Sequence, residues 1–422
     1  MAQVSPGVST RVPERCAYTY TPLTPGTQSI RLLSFVNIDD IDQIAVKLAI
    51  FDLKQTPPFI ALSYTWGPTE PKTSIMIDGC EHQVRQNLHT MLRQLQRWKQ
   101  KAANRKRDWT AYVGDSVIGT SMMRLDYEST RYYMNSPEYW LYFWIDALCI
   151  DDGNIAERSE QVGLMNNIFT DAAFVLVWLG EKGEDGKSAM KIISAHRRSG
   201  DPESTREPGW ATASLENKAI RAFCRRPYWK RLWIVQEVIL ARDILVCCGS
   251  MRVEWDKFED WYLAMKKEFP GICHITSAAG ELVEQRIYWT TRRLISPTGV
   301  LGGRKAAQLR RINNGQLYVD LSAPSLIMLV DSFLFYECSV VHDKVFALLG
   351  LVDDRHLAPL DINVDYSLSP WQLYEEVVGA VKKHINVRLL ASRRWDTPDV
   401  DRFSRLLRIA LGLEEQRLDF GW

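Results

Sequence analysis

Two carboxylates and one serine lie where the sequence pattern would bring them to one site. Ser63 and Asp146 each follow an apolar run, and Glu237 lies four residues after Trp233 in a segment of helical pattern. Residues at i and i+4 share a helix face. A carboxyl group desolvated by an indole has a raised pKa, which suits proton transfer or the stabilisation of a developing cation. Glu237 is therefore the catalytic candidate, and a hydrogen-bonded structural glutamate is the other interpretation.

The run Phe59–Gly67 is typical of a buried strand that delivers polar groups to the edge of a sheet. It ends in Ser63, Tyr64, Trp66 and the turn residue Gly67. In open α/β sheets, ligands bind beyond the carboxyl ends of the strands. These four residues are the predicted ligand-binding group, and a core strand followed by a simple turn is the alternative.

A second apolar run, Trp140–Asp146, predicts another buried strand that ends in a carboxylate. We expect Asp146 either to accept hydrogen bonds from a neighbouring helix start or to face the same crevice as Ser63. Asn154 and Glu157 then mark a helix start, and a third strand follows at 174–179. Strand, helix and strand at this spacing predict a right-handed crossover and a parallel sheet.

Further elements frame these segments. A hairpin is predicted around Asp78-Gly79, because such a pair between alternating residues favours a two-residue turn. The basic run at 97–107 opens a polar insertion at about 98–139, read as a solvated loop, with a patch for an anionic partner as the alternative. The remaining expectations are a strand at 30–35, a helix at 86–98, a helix starting at Pro227 and carrying Glu237, a strand at 244–248 and a mainly helical region from about 251 to 422.

Composition narrows the function classes. With 52 basic and 51 acidic residues the net charge is +1. The chain therefore has no large overall positive charge that would attract the phosphate backbone of a nucleic acid. No apolar stretch reaches the roughly 20 residues of a membrane span, and residues 1–29 read as a flexible segment without a secretory signal. A cytoplasmic location is expected. The eight cysteines lack C-x-x-C pairs, which predicts reduced thiols and no metal site. No dinucleotide or P-loop motif indicates a bound cofactor.

Four segments together resemble a known family. Ala61–Gly67, Trp144–Ile150, Val177–Gly180 and Arg226–Glu237 are similar, in this order, to the motifs of the fungal heterokaryon incompatibility (HET) domain. The resemblance covers residues 59–238 as a core, within a predicted domain at 30–250. Asp343–Leu351, with the Asp365-Tyr366 pair, resembles the helical segment that follows this domain in many members. Asp152, where the family usually has Gln, and the long insertion depart from the pattern.

The resemblance implies a role in nonself recognition and programmed cell death, and a doubly wound flavodoxin-like fold that is distantly similar to the Toll/interleukin-1 receptor (TIR) domain. It further implies self-association, an incompatibility partner protein and, as in some TIR domains, NAD as a substrate cleaved with Glu237. Trp66 or Trp233 would stack on a ring of that substrate. Two alternatives are a non-enzymatic self-associating module and a diverged member that serves a metabolic gene cluster.

Overall fold

The computed structural model describes residues 16–37, 40, 43–104, 133–136, 140–196, 218–268, 278–287, 325–352, 360–391 and 400–414. Most of the predicted insertion at 98–139 lies outside these residues. So does most of the predicted flexible segment at 1–29.

One mixed sheet organises the described part of the chain. Its nine strands have the order β5-β4-β2-β1-β6-β3-β7-β8-β9. Their bounds are β1 Ser29–Asn37, β2 Ala45–Asp52, β3 Phe59–Tyr64, β4 Lys72–Ile77, β5 Cys80–Arg85, β6 Tyr142–Trp144, β7 Phe174–Trp178, β8 Ile244–Cys248 and β9 Met251–Glu254.

The centre of this sheet confirms the predicted α/β class. Strands β6, β3, β7 and β8 are neighbours and run parallel. Numbered along the chain from β3, their spatial order is 2-1-3-4, which is the order of flavodoxin-like doubly wound folds. The outer strands are a finding beyond the prediction, because β2 was not expected and β9 pairs antiparallel with β8 beyond the predicted boundary at residue 250.

Eleven helices are delimited in the described residues: α1 Gln86–Asn104, α2 Asp146–Cys149, α3 Ile155–Asp171, α4 Gly183–Ala195, α5 Lys218–Cys224, α6 Trp233–Leu240, α7 Trp255–Glu268, α8 Leu326–Phe333, α9 Asp343–Leu349, α10 Pro370–Ala391 and α11 Val400–Ala410. A further helical segment covers 278–287. Within these ranges, no helix combines the length and the apolar character needed to cross a bilayer.

The predicted single helix from Pro227 to Glu237 is wrong. A short 3-10 turn, Pro227–Lys230, is separated from α6 by Arg231, whose backbone is extended with φ −70° and ψ 135°. The cause is tertiary, because Glu337 pairs with this point of the chain. The Leu232 N–H donates to the Glu337 carbonyl at 2.8 Å, and the Glu337 N–H donates to the Lys230 carbonyl at 2.6 Å.

Two apolar clusters cover opposite faces of the sheet, as the alternation of side chains along β3 requires. Ile60 and Leu62 pack with α1 on one face, and Phe59 and Ala61 pack on the other face with α3 and α6. The second cluster also contains residues of α8 to α11, such as Leu407. The C-terminal helices therefore share a core with the sheet, and the predicted division at residue 250 stays a prediction.

A buried ion pair fixes the start of α3. Asn154 caps the helix by accepting from the Glu157 N–H at 3.2 Å, as predicted. The Glu157 carboxylate, however, faces Arg31 of β1, at 2.6 Å and 3.0 Å from its two terminal nitrogens. Both side chains are nearly inaccessible, at 1% and 6% exposure. This pair ties β1 to the loop that follows Asp146.

The prediction that all cysteines are reduced is wrong for two of them. Cys16 and Cys80 form a disulfide across 64 positions. Ala17 forms a parallel bridge with Glu81 of β5, and this pairing places Cys16 beside Cys80. The residues around Cys16 and Cys80 contain no sequence pattern that predicts this pairing. In the described residues, the free cysteines are Cys149, Cys224, Cys247, Cys248 and Cys338.

Candidate functional site

The predicted site residues converge at one edge of the sheet. Because β6, β3 and β7 run parallel, their carboxyl ends lie side by side. Ser63 pairs in register with Val177, and Tyr64 pairs with Trp178. Asp146 begins α2 just beyond β6. This is the edge at which doubly wound folds bind ligands.

Ser63 and Glu237 are in direct contact. The Ser63 hydroxyl donates a hydrogen bond to Oε2 of Glu237 and lies 2.6 Å from the hydroxyl oxygen of Tyr228. A serine hydroxyl has one proton to donate. With Glu237 ionised, the Tyr228 hydroxyl therefore donates to Ser63, and the three groups form a relay. Ser63 is fully buried and Glu237 is 3% exposed.

Burial dominates the electrostatics of Glu237. Desolvation raises the pKa of its carboxyl group to about 7, although the charge of Arg231 and the bond from Ser63 lower it. Asp146 raises this pKa further through repulsion between the two carboxylates. A carboxyl group with a pKa near neutrality is suited to exchange a proton under working conditions.

Asp146 forms a second group with Tyr64 and Trp66. The Trp66 indole N–H donates to Oδ2 of Asp146 at 2.7 Å, and the Ala147 N–H donates to Oδ1 at 2.7 Å. The phenol of Tyr64 is also hydrogen-bonded to Asp146. Burial raises the pKa of Asp146, against the lowering by Arg231 and these bonds. Asp146 thus accepts a bond from the Ala147 N–H within the first turn of α2 and belongs to the site edge.

These two groups lie on opposite faces of the sheet, which the sequence did not predict. Ser63 points to the face of α6, whereas Tyr64 points to the face of α1 and belongs to the apolar cluster that contains Ile60 and Leu62. Consecutive residues of a strand necessarily diverge in this way. Ser63 and Tyr64 were predicted as members of one ligand-binding group. In the structure they belong to two separate polar groups at the carboxyl end of β3.

Arg231 links the two groups. Its guanidinium donates to the Tyr64 carbonyl, and its charge lowers the pKa of both Glu237 and Asp146. Arg231 and Tyr228 were missed as site residues, although both stand in the motif 226–237. The sequence does show a cation six residues before Glu237. Its side chain reaches β3, however, because the backbone is extended at Arg231, and the sequence did not predict that break in the helix.

The Trp233 side chain is hydrogen-bonded to Asp343 of α9. Tyr366 donates to Oδ1 of the same carboxylate at 2.6 Å. The neighbouring Gln236, with its amide oriented so that both ends are hydrogen-bonded, donates to the Ala347 carbonyl and accepts from the Asn166 N–H. This face of α6 therefore contacts α9 and α3. The desolvation of Glu237 by the Trp233 indole stays a prediction.

Gly67 takes the predicted turn conformation. Its φ is +74°, a value that favours glycine. The carbonyl of Gly67 accepts from Arg85 at 2.9 Å, and the Arg85 guanidinium lies 4.9 Å from the ring centre of Trp66. Arg85 thus holds the loop after β3 against the hairpin β4–β5.

Arg226 has a different task from the rest of its motif. It donates to the carbonyls of Leu179, Glu181 and Lys182, at 3.0 Å and 3.1 Å for the last two. Gly180 has φ +89°, and a side chain there would meet the guanidinium at 3.6 Å. Arg226 therefore shapes the loop after β7 and takes no part in the Glu237 contacts.

An open cleft of about 730 Å³ lies beside this edge, between α1 and the loops after β7 and β8. Its lining includes Trp178, Arg93, Arg97, Lys182 and Ser250. Glu237 is absent from the lining, and its carboxyl group stays enclosed. The cleft is on the α1 face, the side to which Tyr64 and Trp178 point.

Comparison with known proteins covers part of the chain. Residues 126–237 match the family model described as heterokaryon incompatibility protein (HET). Heterokaryon incompatibility protein 6, OR allele, of Neurospora crassa is 25% identical over 224 residues, which cover 46% of this chain and 29% of that protein. Vegetative incompatibility protein HET-E-1 of Podospora anserina is 22% identical over 192 residues, covering 44% of this chain and 9% of that protein. The match thus spans less than a third of either relative. No solved structure matches the chain.

Proposed function

We propose that this chain, whose residues 126–237 match the family model of the heterokaryon incompatibility protein, is an effector of fungal nonself recognition whose activation leads to growth arrest or programmed cell death. The names of both relatives, which refer to incompatibility, support this role. In this proposal the chain acts by self-association, under the control of an incompatibility partner protein.

The proposed chemistry is cleavage of NAD at the bond between nicotinamide and ribose. The observation that carries it is the buried Glu237 carboxyl at the end of β3, bonded to Ser63 and with its pKa raised to about 7. Cleavage of a glycosidic bond passes through an oxocarbenium-like state, which a nearby carboxylate stabilises. Nicotinamide leaves with the bonding electrons, water adds to the ribose carbon, and one proton is released. NAD is the substrate in this proposal, and no bound cofactor is needed.

The enclosure of Glu237 adds a requirement. At 3% exposure, its carboxyl group contacts no solute until neighbouring groups move. Arg231 is half-buried, bonds the Tyr64 carbonyl and acts through its charge on both Glu237 and Asp146, so it is the neighbouring group whose movement we expect to accompany exposure of Glu237. We therefore expect activity only in an activated form, for which self-association is the proposed trigger.

The test measures nicotinamide release by purified protein, free and forcibly oligomerised through a fused oligomerisation domain. Glu237→Gln should abolish release, since the amide keeps the size but not the charge. Glu281→Gln is the matched control, because Glu281 also accepts a tyrosine bond, at 3.1 Å from Tyr336, and has a pKa raised by burial. Release by Glu237→Gln at the wild-type rate would remove Glu237 from the role.

A second candidate is a non-enzymatic module that signals through self-association. The burial of Glu237 favours this candidate. A carboxyl group that accepts a hydrogen bond from Ser63 and interacts with the positive charge of Arg231 can also have a purely structural role. Induced expression in a fungal host separates the two. Toxicity that survives Glu237→Gln, with NAD content unchanged, would support the non-enzymatic module. Expression of wild type without any growth defect would instead support a diverged member serving a metabolic gene cluster.

A further inference from the structure

The segment before β1 covers the outer edge of the sheet. β5 is the last strand in the sheet order, and residues 16–18 lie along it. The Tyr18 N–H donates to the Glu81 carbonyl at 3.0 Å, and the Glu81 N–H donates to the Cys16 carbonyl at 2.8 Å. Uncovered strand edges present unpaired backbone groups that bind other extended chains. This segment therefore protects the β5 edge.

Aromatic contacts and the packing of Tyr18 against the apolar cluster of the α1 face add to these backbone bonds. The rings of Tyr18 and Tyr20 meet edge to face at 5.1 Å, and Tyr18 meets His82 at 5.9 Å. Such contacts contribute little individually. The covalent tie is the disulfide between Cys16, which is exposed, and Cys80, which is half-buried. It joins the segment to the turn of the β4–β5 hairpin.

The far end of the segment is fixed independently. Thr21 accepts from Arg31 at 2.6 Å, and the Arg31 guanidinium lies 5.0 Å from the ring centre of Tyr20. Arg31 is itself held by the buried Glu157. Beneath the segment lies a cleft of about 600 Å³, lined by residues that include Tyr18, Thr21, Arg31, Leu48, Ile50 and Asp78. Loss of the disulfide would free residues 16–19 while Tyr20 and Thr21 stay anchored by Arg31.

We propose that Cys16 and Cys80 are a reversible thiol–disulfide site, at which a dithiol reductant releases residues 16–19 from the β5 edge and opens the cleft beneath them. A thiolate of the reductant attacks the exposed sulfur of Cys16, the sulfur–sulfur bond breaks, and Cys80 leaves as a thiolate that takes up a proton. The second thiol of the reductant displaces Cys16 and forms the oxidised reductant. Two electrons pass from the dithiol to the protein disulfide.

The other described cysteines do not compete for this chemistry. Cys149, Cys224, Cys247 and Cys248 are all buried. Burial raises the pKa of the Cys149 and Cys224 thiols to about 12, and it also raises the pKa of Cys247 and Cys248. Cys338 is half-exposed, but burial of its thiol raises the pKa to about 11. Exchange requires an accessible sulfur and a thiolate. Within the described residues, the Cys16–Cys80 pair is therefore the reactive point.

The first experiment counts thiols in the folded protein by alkylation and mass spectrometry. Under excess glutathione disulfide, Cys16 and Cys80 should stay unlabelled, and excess dithiothreitol, a dithiol, should make both labelled while the fold is retained. Removal of the dithiol and re-oxidation should reverse the labelling. Full labelling of both residues under glutathione disulfide, or a bond that resists excess dithiothreitol in the native protein, would overturn the proposal.

The second experiment follows amide hydrogen exchange at Tyr18 and Glu81, whose N–H groups make the edge bonds. Reduction should accelerate exchange at both amides by on the order of tenfold or more, with the β3 amides unchanged. Cys16→Ser should show the fast rates under both conditions, and Cys338→Ser should respond like wild type. Equal rates at Glu81 in the oxidised and reduced protein would refute release of the segment, even if the disulfide itself forms.

Discussion

Ser63 donates a hydrogen bond to Glu237 although the two residues lie 174 positions apart in the sequence. Both are almost inaccessible to solvent. This contact joins the first strand of the parallel core to the end of the HET motif, and it makes the protonation of Glu237 depend on the packing of α6 against β3.

Ser63→Ala should destabilise the protein by about 1 to 3 kcal/mol at pH 8, because it leaves a buried carboxylate short of a donor. The loss should be smaller at pH 5, where Glu237 is protonated. Denaturant unfolding at the two pH values measures it. Ser74→Ala is the control, since Ser74 bonds Glu81 on the exposed surface, and we expect a change below about 0.5 kcal/mol. Equal losses for the two variants at pH 8 would contradict the role of Ser63.

Glu237 should make the protein less stable as pH rises. Its folded pKa of about 7 exceeds the ordinary value of 4.5, so the folded state holds the proton more tightly than the unfolded state. The stabilisation is complete below pH 4.5 and is lost as pH rises through 7, by about 3 kcal/mol in total. The difference in unfolding free energy between Glu237→Gln and wild type should shift in favour of the variant from pH 5 to pH 8. A flat difference would show an ordinary pKa.

Arg231→Gln should raise the pKa of both Glu237 and Asp146, because the Arg231 charge lowers each of them. We expect a loss of about 2 kcal/mol at pH 8 and less at pH 5, since only the ionised carboxylates need the cation. Pairing this change with Glu237→Gln should reduce the loss. The exposed neighbour Lys230 provides the control Lys230→Gln, for which little change is expected. A pH-independent loss would indicate that Arg231 acts only through the Tyr64 carbonyl.

Glu157→Gln should cost about 3 to 5 kcal/mol, because it leaves the Arg31 guanidinium buried without its counter-charge. Thermal or denaturant unfolding measures this. The exposed pair of Arg402 and Asp331, at 2.9 Å, provides a comparison. Asp331→Asn should cost less than about 1 kcal/mol. Similar costs for both pairs would mean that the buried position of Arg31 brings no penalty.

If activated protein releases nicotinamide, the rate should follow the ionisation of Glu237. The rate should rise with pH, by about tenfold per unit at its steepest, and then level off, because only the carboxylate stabilises the developing cation. Opening of the site removes part of the desolvation, so the midpoint should lie between the ordinary value of 4.5 and the value of about 7 for the enclosed carboxyl group. A rate that does not change between pH 3 and pH 8 would exclude Glu237 as the group that titrates.

Local signals in the sequence were sufficient for much of the framework. The turn at Asp78-Gly79 requires left-handed backbone, which these two residues tolerate, with φ of +50° and +81°. Asn154 caps α3 through an oxygen three residues from its donor. The apolar runs that became β3 and β7 were recognisable because strands buried on both faces are continuously apolar. The motifs of the HET domain also lie in the sequence itself.

Only the tertiary structure decided how the site residues pair. The alternation along β3 separates Ser63 from Tyr64, and the strand order places Glu237 against Ser63. Glu337, about a hundred positions away, breaks the helix expected from Pro227 and so brings Arg231 to the Tyr64 carbonyl. The Cys16–Cys80 disulfide likewise depends on an edge pairing across 64 positions. The sequence by itself determined which residues can cap a helix, which can form a tight turn and which strands are buried. These properties depend on neighbours a few positions away. Hydrogen-bond partners and pKa values depend on which distant segments exclude water from the same point.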